Sequence, residues 1–318
     1  MPHVLVAGKL HSSGLALLEA AQGVTYHQIE EISAQSYLPH IATADAVILR
    51  TQPMTAATVA LGTRLRIVSR HGVGYDAVDV AALNARGIPL CIVGDVNSIS
   101  VAEHAMMLIL ACAKQLIRAD AAVRIGPWVW RNRLEAGEIS GRRLLIVGYG
   151  RIGRHLALMA AGFGMQIRAV DPYLAATGWP AGEVASVDLR HGLAWADVVS
   201  LHVPKSGAAL LGPDELALLR HGAIVVNTAR GGIVDEVALA AALRSGQVAA
   251  AGLDVLEDEP PAPDHPLLGF DQVILTPHTA GLSRQAAERM AISSVQNVLD
   301  FFAGRLDPDL IVNKDHLR

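Results

Sequence analysis

The feature that most constrains this fold is an alternation of short apolar runs with helical patterns, which occurs in two successive series. The runs of the first series are VLVAG (4–8), VTYHQ (24–28), AVILRT (46–51), RIVSR (66–70) and LCIV (90–93). Those of the second are LLIVG (144–148), IRAV (167–170), VVSLHV (198–203), AIVVNT (223–228), GLDVL (252–256) and VILT (273–276). Apolar strands that alternate with helices are typical of parallel sheets with right-handed crossovers. The sequence therefore predicts an α/β chain with two Rossmann-like, doubly wound parallel-sheet domains separated by a cleft.

The join between the two series falls near Ser98, where one long helical pattern begins, SISVAEHAMMLILACAKQLIRADAAVR. A second long helical pattern, SRQAAERMAISSVQNVLDFFAGR (283–305), follows the last predicted strand and can carry the chain back to the first domain. We therefore predict a discontinuous first domain of residues 1–98 and 284–318. Residues 99–283 would form the second domain.

Composition and charge exclude several classes of protein. The formal net charge of −4 does not favour a nucleic-acid partner. The 2 cysteines have no redox or metal-ligand spacing, so we expect a reducing compartment, no disulfide framework and no metal site. The segment MPHVLVAGK lacks the features of a signal peptide, and the longest apolar run (101–113) contains Glu103 and His104. We expect a cytoplasmic protein that is not bound to a membrane.

A glycine-rich loop, GYGRIG (148–153), follows the run LLIVG and opens a helical pattern. In a dinucleotide-binding loop the first glycine permits a tight turn, the second lets the backbone approach the pyrophosphate, and the third lets the helix pack on the strand. The next predicted strand ends at Asp171, whose carboxylate can bind an adenosine ribose hydroxyl and repel a 2′-phosphate. A close-packed turn without a ligand is the alternative, but strand, helix and acid together favour NAD.

Three residues whose side chains can bind an anion or transfer a proton follow strands of the second series: Arg230, Glu259 and His278. Ligands of open α/β sheets bind at the carboxyl ends of the strands. Hydride transfer to a 2-oxo acid needs a guanidinium for the carboxylate, an imidazolium as acid, and a carboxylate that orients the imidazole. Singly, each residue has another explanation: Arg230 as a helix cap or partner of Asp235, Glu259 as a solvated acid, and His278 as a core histidine.

The first domain offers a second wall for such a site. Gly72, Val73 and Gly74, in SRHGVGYDAVD, follow a predicted strand, and their amides can form an anion-binding nest. Arg50 lies at another strand end, in AVILRT. Ordinary turn and surface chemistry would also account for these residues.

The chain closely resembles the NAD-dependent D-2-hydroxyacid dehydrogenases, a family that includes phosphoglycerate, glycerate/hydroxypyruvate and D-lactate dehydrogenases. The motifs that carry the resemblance are SRHGVGYDAVD, SVAEHAMMLIL, IVGYGRIGR, VDPY, LHVP, VNTARGGIVDEVAL, AGLDVLEDEPP and TPHTAG. By this resemblance Arg230, Glu259 and His278 are catalytic. The residues implied at the substrate are Arg50, Gly72, Val73, Gly74, Asn97 and Arg230. Those implied at the cofactor are Gly148, Tyr149, Gly150, Arg151, Ile152, Gly153, Asp171, Pro172, His202, Val203, Pro204, Thr228, Ala229, Asp254 and Gly281.

The resemblance implies that residues 99–283 bind NAD, that residues 1–98 and 284–318 bind the substrate, and that the chain forms a homodimer through the NAD-binding domain. The substrate would be a small D-2-hydroxy acid or its 2-oxo acid, of the hydroxypyruvate, glyoxylate or 3-phosphoglycerate type. An NAD-sensing corepressor-like protein of the same fold is the alternative, since such relatives keep the three catalytic residues. Lys205 and Ser206 depart from the Leu-Thr-like pair of many members. Trp128 and Trp130 would shape the pocket or pack in the dimer interface.

Overall fold

The computed structural model describes residues 1–126, 128–182 and 184–317, and the chain folds into two compact units. Unit 1 consists of Met1–Asn97 and Leu282–Arg318, and unit 2 consists of Ser98–Gly281. The chain therefore enters unit 2 at Ser98 and leaves it after Gly281. In the described ranges, no helix is both long enough and apolar enough to cross a membrane.

The amino-terminal part of unit 1 alternates strands and helices. Its elements are β1 (His3–Ala7), α1 (Ser12–Ala20), β2 (Thr25–Ile29), α2 (Leu38–Ile41), β3 (Ala46–Leu49), α3 (Ala56–Leu61), β4 (Ile67–Arg70), α4 (Val80–Ala85) and β5 (Leu90–Cys91). Within the described residues of this unit, five parallel strands form a sheet in the order β2-β1-β3-β4-β5. Val4 and Val6 of β1 face one apolar core, whereas Leu5 and Ala7 face another. Both faces of the sheet are therefore covered, as in a doubly wound fold.

Unit 2 repeats this plan around a larger sheet. Its elements are α5 (Ser98–Lys114), α6 (Leu116–Arg124), β6 (Arg143–Val147), α7 (Arg151–Gly162), β7 (Gln166–Val170), α8 (Pro172–Thr177), β8 (Ala185–Ser186), α9 (Leu189–Trp195), β9 (Val198–Leu201), α10 (Pro213–Leu218), β10 (Ala223–Asn227), α11 (Glu236–Ser245), β11 (Val248–Leu253) and β12 (Val273–Leu275). In its described part, seven parallel strands have the order β12-β11-β10-β9-β6-β7-β8. Chain order reverses between β6 and β9, so the loops that follow these strands diverge at the place where such sheets bind ligands.

Helix α12 (Arg284–Phe302) returns the chain to unit 1. Its residues Ala291, Val295 and Val298 are buried in the core that lies on one face of the first sheet. It packs closely on α1, because a Cβ built at Gly14 would lie 2.9 Å from the Cβ of Ala291. The predicted α/β class, with two all-parallel doubly wound sheets, is confirmed.

The long helical pattern that begins at Ser98 forms two helices. Helix α5 ends at Lys114, and Gln115 has a left-handed backbone (φ 52°) before α6 begins. The carbonyl of Ala113 accepts a hydrogen bond from the Gly137 amide at 2.7 Å. A segment from elsewhere in the chain thus occupies the end of α5, which the local pattern does not show.

The predicted strand over 252–256 is misplaced, since β11 runs from Val248 to Leu253. This strand is rich in alanine because α5 packs against it: a Cβ built at Gly252 would lie 2.8 Å from the Leu108 Cβ. Alanine has low β propensity, so the pattern hid the strand. The two-residue edge strand β8 is exposed and carries no apolar signal. The other predicted strands are present, with ends shifted by one or two residues.

Candidate active site

The glycine loop after β6 has two crowded glycines and one open one. A Cβ built at Gly148 (φ +95°) would lie 2.5 Å from the His202 carbonyl oxygen, and one built at Gly153 would lie 2.3 Å from the Gly148 carbonyl oxygen. Among the described residues, and apart from Gly150 and its two chain neighbours, no heavy atom lies within 4 Å of a Cβ built at Gly150, the N-cap of α7. The loop thus packs tightly beneath its own helix and leaves room at that helix's N-terminus, where amides favour a phosphate group.

Asp171 ties this loop to the end of β7. Its Oδ2 accepts a hydrogen bond from the Tyr149 amide at 2.9 Å. Its Oδ1 accepts a hydrogen bond from the Leu174 amide at 3.1 Å. Asp171 is thus the N-cap of α8, which begins at Pro172. A carboxylate has about four lone-pair sites, so ribose hydroxyl donors can bind to it beside these two amides.

Two buried polar atoms lie at the ends of the neighbouring strands β9 and β10. The Nε2 of His202 pairs with Ser200 Oγ at 2.9 Å, and burial lowers the pKa of His202 to about 3, so the imidazole is neutral. Within the described residues, His202 Nδ1 and Thr228 Oγ1 have no hydrogen-bond partner. Unpaired buried atoms are rare in proteins and call for an explanation such as a bound group. With Val203, Pro204 and Ala229 on the same two loops, this edge fits a dinucleotide.

His278 and Glu259 form a pair at this edge of the sheet. His278 Nδ1 lies 2.7 Å from Glu259 Oε2, and the other carboxylate oxygen, Oε1, accepts a hydrogen bond from the Leu256 amide at 3.1 Å. The imidazole is half exposed, so His278 is not a core histidine. Because an ionised carboxylate only accepts hydrogen bonds, Nδ1 carries a proton, and Nε2 is left to exchange a proton with a substrate.

Arg230 lies in a turn that Asn227 braces from within. The side chain of buried Asn227 donates to the Arg230 carbonyl at 2.8 Å and accepts from the Ala229 amide at 3.0 Å. A Cβ built at Gly231 would lie 1.8 Å from the Leu256 carbonyl oxygen. The turn that carries Arg230 therefore packs directly against the loop that leads to Glu259. We did not predict the role of Asn227, although a polar residue at the end of the buried strand AIVVN was its signal.

Asp254 is buried beneath the turn that carries His278. Its carboxylate accepts hydrogen bonds from Thr276 Oγ1 at 2.5 Å, the Thr279 amide at 2.8 Å and the Ala280 amide at 2.8 Å. Its carbonyl accepts the His278 amide at 2.9 Å. The sequence placed Asp254 and Gly281 near the cofactor; the structure shows that Asp254 organises the turn that ends at Gly281.

Unit 1 brings Arg50 and the 72–74 loop into one neighbourhood. Arg70 Nε donates to the Gly74 carbonyl at 2.7 Å, and its Nη1 donates to the Leu49 carbonyl at 3.0 Å. Arg50 follows Leu49 directly, and its Nη1 donates to the Lys9 carbonyl at 3.1 Å. We did not predict from the sequence that Arg70 holds this loop through a hydrogen bond to its backbone.

Both arginines influence the neighbouring His71. Burial, followed by the charges of Arg50 and Arg70, lowers the pKa of His71 to about 4. Both guanidinium groups therefore lie close enough to His71, the residue before this loop, to disfavour its protonated form. Val73 is exposed on the loop, and Asn97 is half-buried at the last position before the chain enters unit 2. The role of these residues toward a substrate stays a prediction.

A family model described as "D-isomer specific 2-hydroxyacid dehydrogenase, NAD binding domain" matches residues 106–280. The chain is 39% identical over 314 residues to a D-3-phosphoglycerate dehydrogenase of Mycobacterium leprae, covering 98% of this chain and 59% of that relative. It is 36% identical over 317 residues to a glyoxylate reductase of Korarchaeum cryptofilum, covering 98% and 96% of the two chains. An NADPH-dependent glyoxylate/hydroxypyruvate reductase of Sinorhizobium meliloti superposes with a TM-score of 0.86, at 30% identity and 100% coverage of both chains. The chain thus spans less than two thirds of the phosphoglycerate dehydrogenase relative.

Proposed function

Because this chain belongs to the D-isomer specific 2-hydroxyacid dehydrogenase family, we propose that it reduces a small 2-oxo acid to the D-2-hydroxy acid with NADH, and catalyses the reverse oxidation with NAD. The observation that carries the proposal is the 2.7 Å contact between His278 and Glu259. This pair lies on the sheet edge that also presents the glycine loop and Arg230.

The residues divide the chemistry between them. NADH, which the glycine loop and Asp171 would hold, would supply the hydride when bound. His278 Nε2 supplies the proton to the carbonyl oxygen, and the same nitrogen accepts it when the hydroxy acid is oxidised. Glu259 holds the imidazole in orientation and fixes the tautomer in which Nδ1 carries the proton. Arg230 binds the substrate carboxylate and polarises the carbonyl with its planar, permanently charged guanidinium.

In unit 1, the loop at 72–74 offers groups that can bind an acid. Its amides and the guanidinium groups of Arg50 and Arg70 suit a carboxylate or a second anionic group of the substrate. We propose that unit 1 binds the substrate and that unit 2 binds NAD. This matches the sequence-based prediction of a substrate-binding domain over 1–98 and 284–318 and an NAD-binding domain over 99–283. We also propose that the protein acts in the cytoplasm.

A substrate panel tests the reaction directly. Glyoxylate, hydroxypyruvate and 3-phosphohydroxypyruvate are each offered with NADH, and NADH oxidation is measured. The chirality of the product is measured for the last two substrates, because the glycolate formed from glyoxylate is achiral. Turnover to a D-2-hydroxy acid supports the proposal, and the ratio of efficiencies shows whether the substrate is phosphorylated. Tight NADH binding without turnover of any 2-oxo acid would instead favour the NAD-sensing corepressor-like alternative.

We further propose a homodimer formed through unit 2. Helix α6 buries none of its residues. Large apolar side chains are exposed on α6 and the segment after it: Leu116, Ile117, Val123, Ile125, Trp128, Val129 and Leu134. A concentration of exposed apolar side chains in one segment is typical of a protein interface. Trp128 and Trp130 lie in this segment, which suits interface packing.

Light scattering measures the proposed assembly. Ile125→Glu places a charge in the centre of the apolar segment and should convert dimer to monomer. Val237→Glu is the matched control, because Val237 is a similarly exposed apolar residue on α11, and it should leave the dimer intact. A monomeric wild-type protein, or an Ile125→Glu variant that stays dimeric, would contradict this interface.

A further inference from the structure

Helix α5 presents two polar residues to the turn that carries His278. Ser100 and His104 are four positions apart and so lie on the same face of the helix. Ser100 Oγ donates to the Ala280 carbonyl at 2.8 Å in a buried hydrogen bond. His104 Nε2 lies 2.9 Å from Thr276 Oγ1. The two ends of the segment 276–280 are therefore each attached to the same helix.

The direction of the hydrogen bonds follows from the hydroxyl proton of Thr276. That hydroxyl has one proton, and it donates it to Asp254 Oδ1 at 2.5 Å. The hydroxyl oxygen must then accept a hydrogen bond from His104, so Nε2 of His104 carries a hydrogen. His104 Nε2 also lies 3.6 Å from Asp254 Oδ1. The result is a directed chain of donors from the helix to the buried carboxylate.

This chain ends at the backbone of the turn that carries His278. Asp254 accepts the amides of Thr279 and Ala280, so its orientation determines the path of the backbone directly after His278. His278 has a φ of 53°, in the left-handed region that residues with side chains rarely adopt. Such a conformation persists only where the surrounding contacts hold it.

We propose that Ser100 and His104 are positioning residues, which hold the 276–280 turn so that the imidazole of His278 meets Glu259 and the substrate. The proposal rests on the catalytic role proposed above for His278. Ser100 lies two residues after the chain enters unit 2, and Ala280 lies one residue before it leaves. Their hydrogen bond therefore joins the first turn of unit 2 to its last residues.

Variants of His104 distinguish the loss of the hydrogen-bond donor from a change in side-chain volume. His104→Leu fills the site but removes the donor, whereas His104→Gln retains an N–H that can reach Thr276. Thr276→Val removes the hydroxyl with little change of shape. Glu103→Gln, at an exposed neighbouring position of α5, is the matched control. For each variant we would measure kcat and KM for the best acid of the panel, the NADH Kd, and the number of NADH sites.

We expect His104→Leu and Thr276→Val to lower kcat by about 10- to 100-fold, the scale of a small misplacement of a catalytic group. KM and the NADH Kd should stay within about threefold of wild type, and His104→Gln should recover most of the lost kcat. Ser100→Ala should lower kcat less, because Thr276 and Asp254 still hold the turn. If His104 only stabilised the fold, its variants would lose NADH sites in proportion to the loss of activity. His104→Gln would then not restore kcat.

Hydrogen exchange of the Thr279 and Ala280 amides gives a readout that does not need turnover. In His104→Leu these amides should exchange at least about 10-fold faster than in wild type, whereas Glu103→Gln should match wild type. Unchanged exchange together with unchanged kcat would overturn the positioning role and leave the proposed reaction intact. If His104→Leu exchanges faster but the wild-type protein itself reduces no 2-oxo acid, the proposed reaction is overturned and the support of the turn by His104 stays intact.

Discussion

Replacing Asp254 with Asn should destabilise unit 2 and lower turnover, although the two side chains have nearly the same shape. The carboxylate is buried, and it accepts two donors on Oδ1 (Thr276 and Thr279) and one on Oδ2 (Ala280). An amide oxygen can keep the two donors at Oδ1. Its NH2 group then faces the Ala280 amide, so two donors meet and one charge-assisted hydrogen bond is lost.

The magnitude follows from these contacts. Loss of a hydrogen bond to a charged group costs about 1.5–3 kcal/mol, and a stranded buried donor costs about 1–3 kcal/mol more. Removal of the buried charge offsets part of this cost, which leaves a loss of about 2–4 kcal/mol in the free energy of unfolding. For a unit of this size the expected fall in Tm is about 5–15 °C. Turnover should fall with it, because the backbone after His278 is no longer held.

Tryptophan fluorescence during urea unfolding is the assay of choice. The 4 tryptophans of the chain, Trp128, Trp130, Trp179 and Trp195, all lie in unit 2, so the signal reports on that unit alone. Asp258→Asn, at an exposed position of the neighbouring loop, is the matched control and should leave the midpoint unchanged. An Asp254→Asn variant within about 0.5 kcal/mol of wild type, the range of ordinary surface substitutions, would refute the reasoning.

Three further predictions concern the cofactor, the substrate and acid stability. The carboxylate of Asp171 should make kcat/KM with NADH roughly 30- to 1,000-fold higher than with NADPH; equal efficiencies would contradict it. Arg230→Lys should keep NADH binding but lower kcat/KM for the oxo acid at least about 100-fold. A near-wild-type rate would contradict the role of Arg230 and make Arg50 the candidate for binding the substrate carboxylate. His71 and His202 have pKa values lowered to about 4 and about 3, so as the pH falls below 6.5 the unfolded chain takes up protons before the native one. Urea unfolding should show a loss of about 2 kcal/mol per histidine between pH 6.5 and pH 5, and a flat profile over that interval would contradict their burial as neutral groups.

The parts of the fold that could be predicted from sequence are those with local causes. The glycine loop is one, because Gly148 and Gly153 exclude a side chain through contacts with adjacent strand ends and with the loop itself. The pairing of His278 with Glu259 is another, because both follow strands of one parallel sheet and such ends share an edge. These inferences needed only the strand positions and the rule for where ligands bind.

The parts that were missed depend on partners far away in the chain. Ser100 and His104 stand in an apolar helical run, and their partners lie 180 and 172 residues away. The left-handed Gln115 has no sequence signal, because the chain around Gly137 ends the helix there. Strand β11 was misplaced for the same kind of reason, since the close approach of α5 selects small residues that do not look like a strand.

The central claim is that His278 transfers the proton in an NADH-linked reduction, and one comparison tests it most directly. Wild type and His278→Ala are assayed side by side for reduction of the panel acids, with NADH Kd measured on the same preparations. The account predicts that wild type turns over a 2-oxo acid and that His278→Ala loses about 100- to 10,000-fold in kcat while its NADH Kd is unchanged. A His278→Ala variant that retains a near-wild-type kcat would contradict the account.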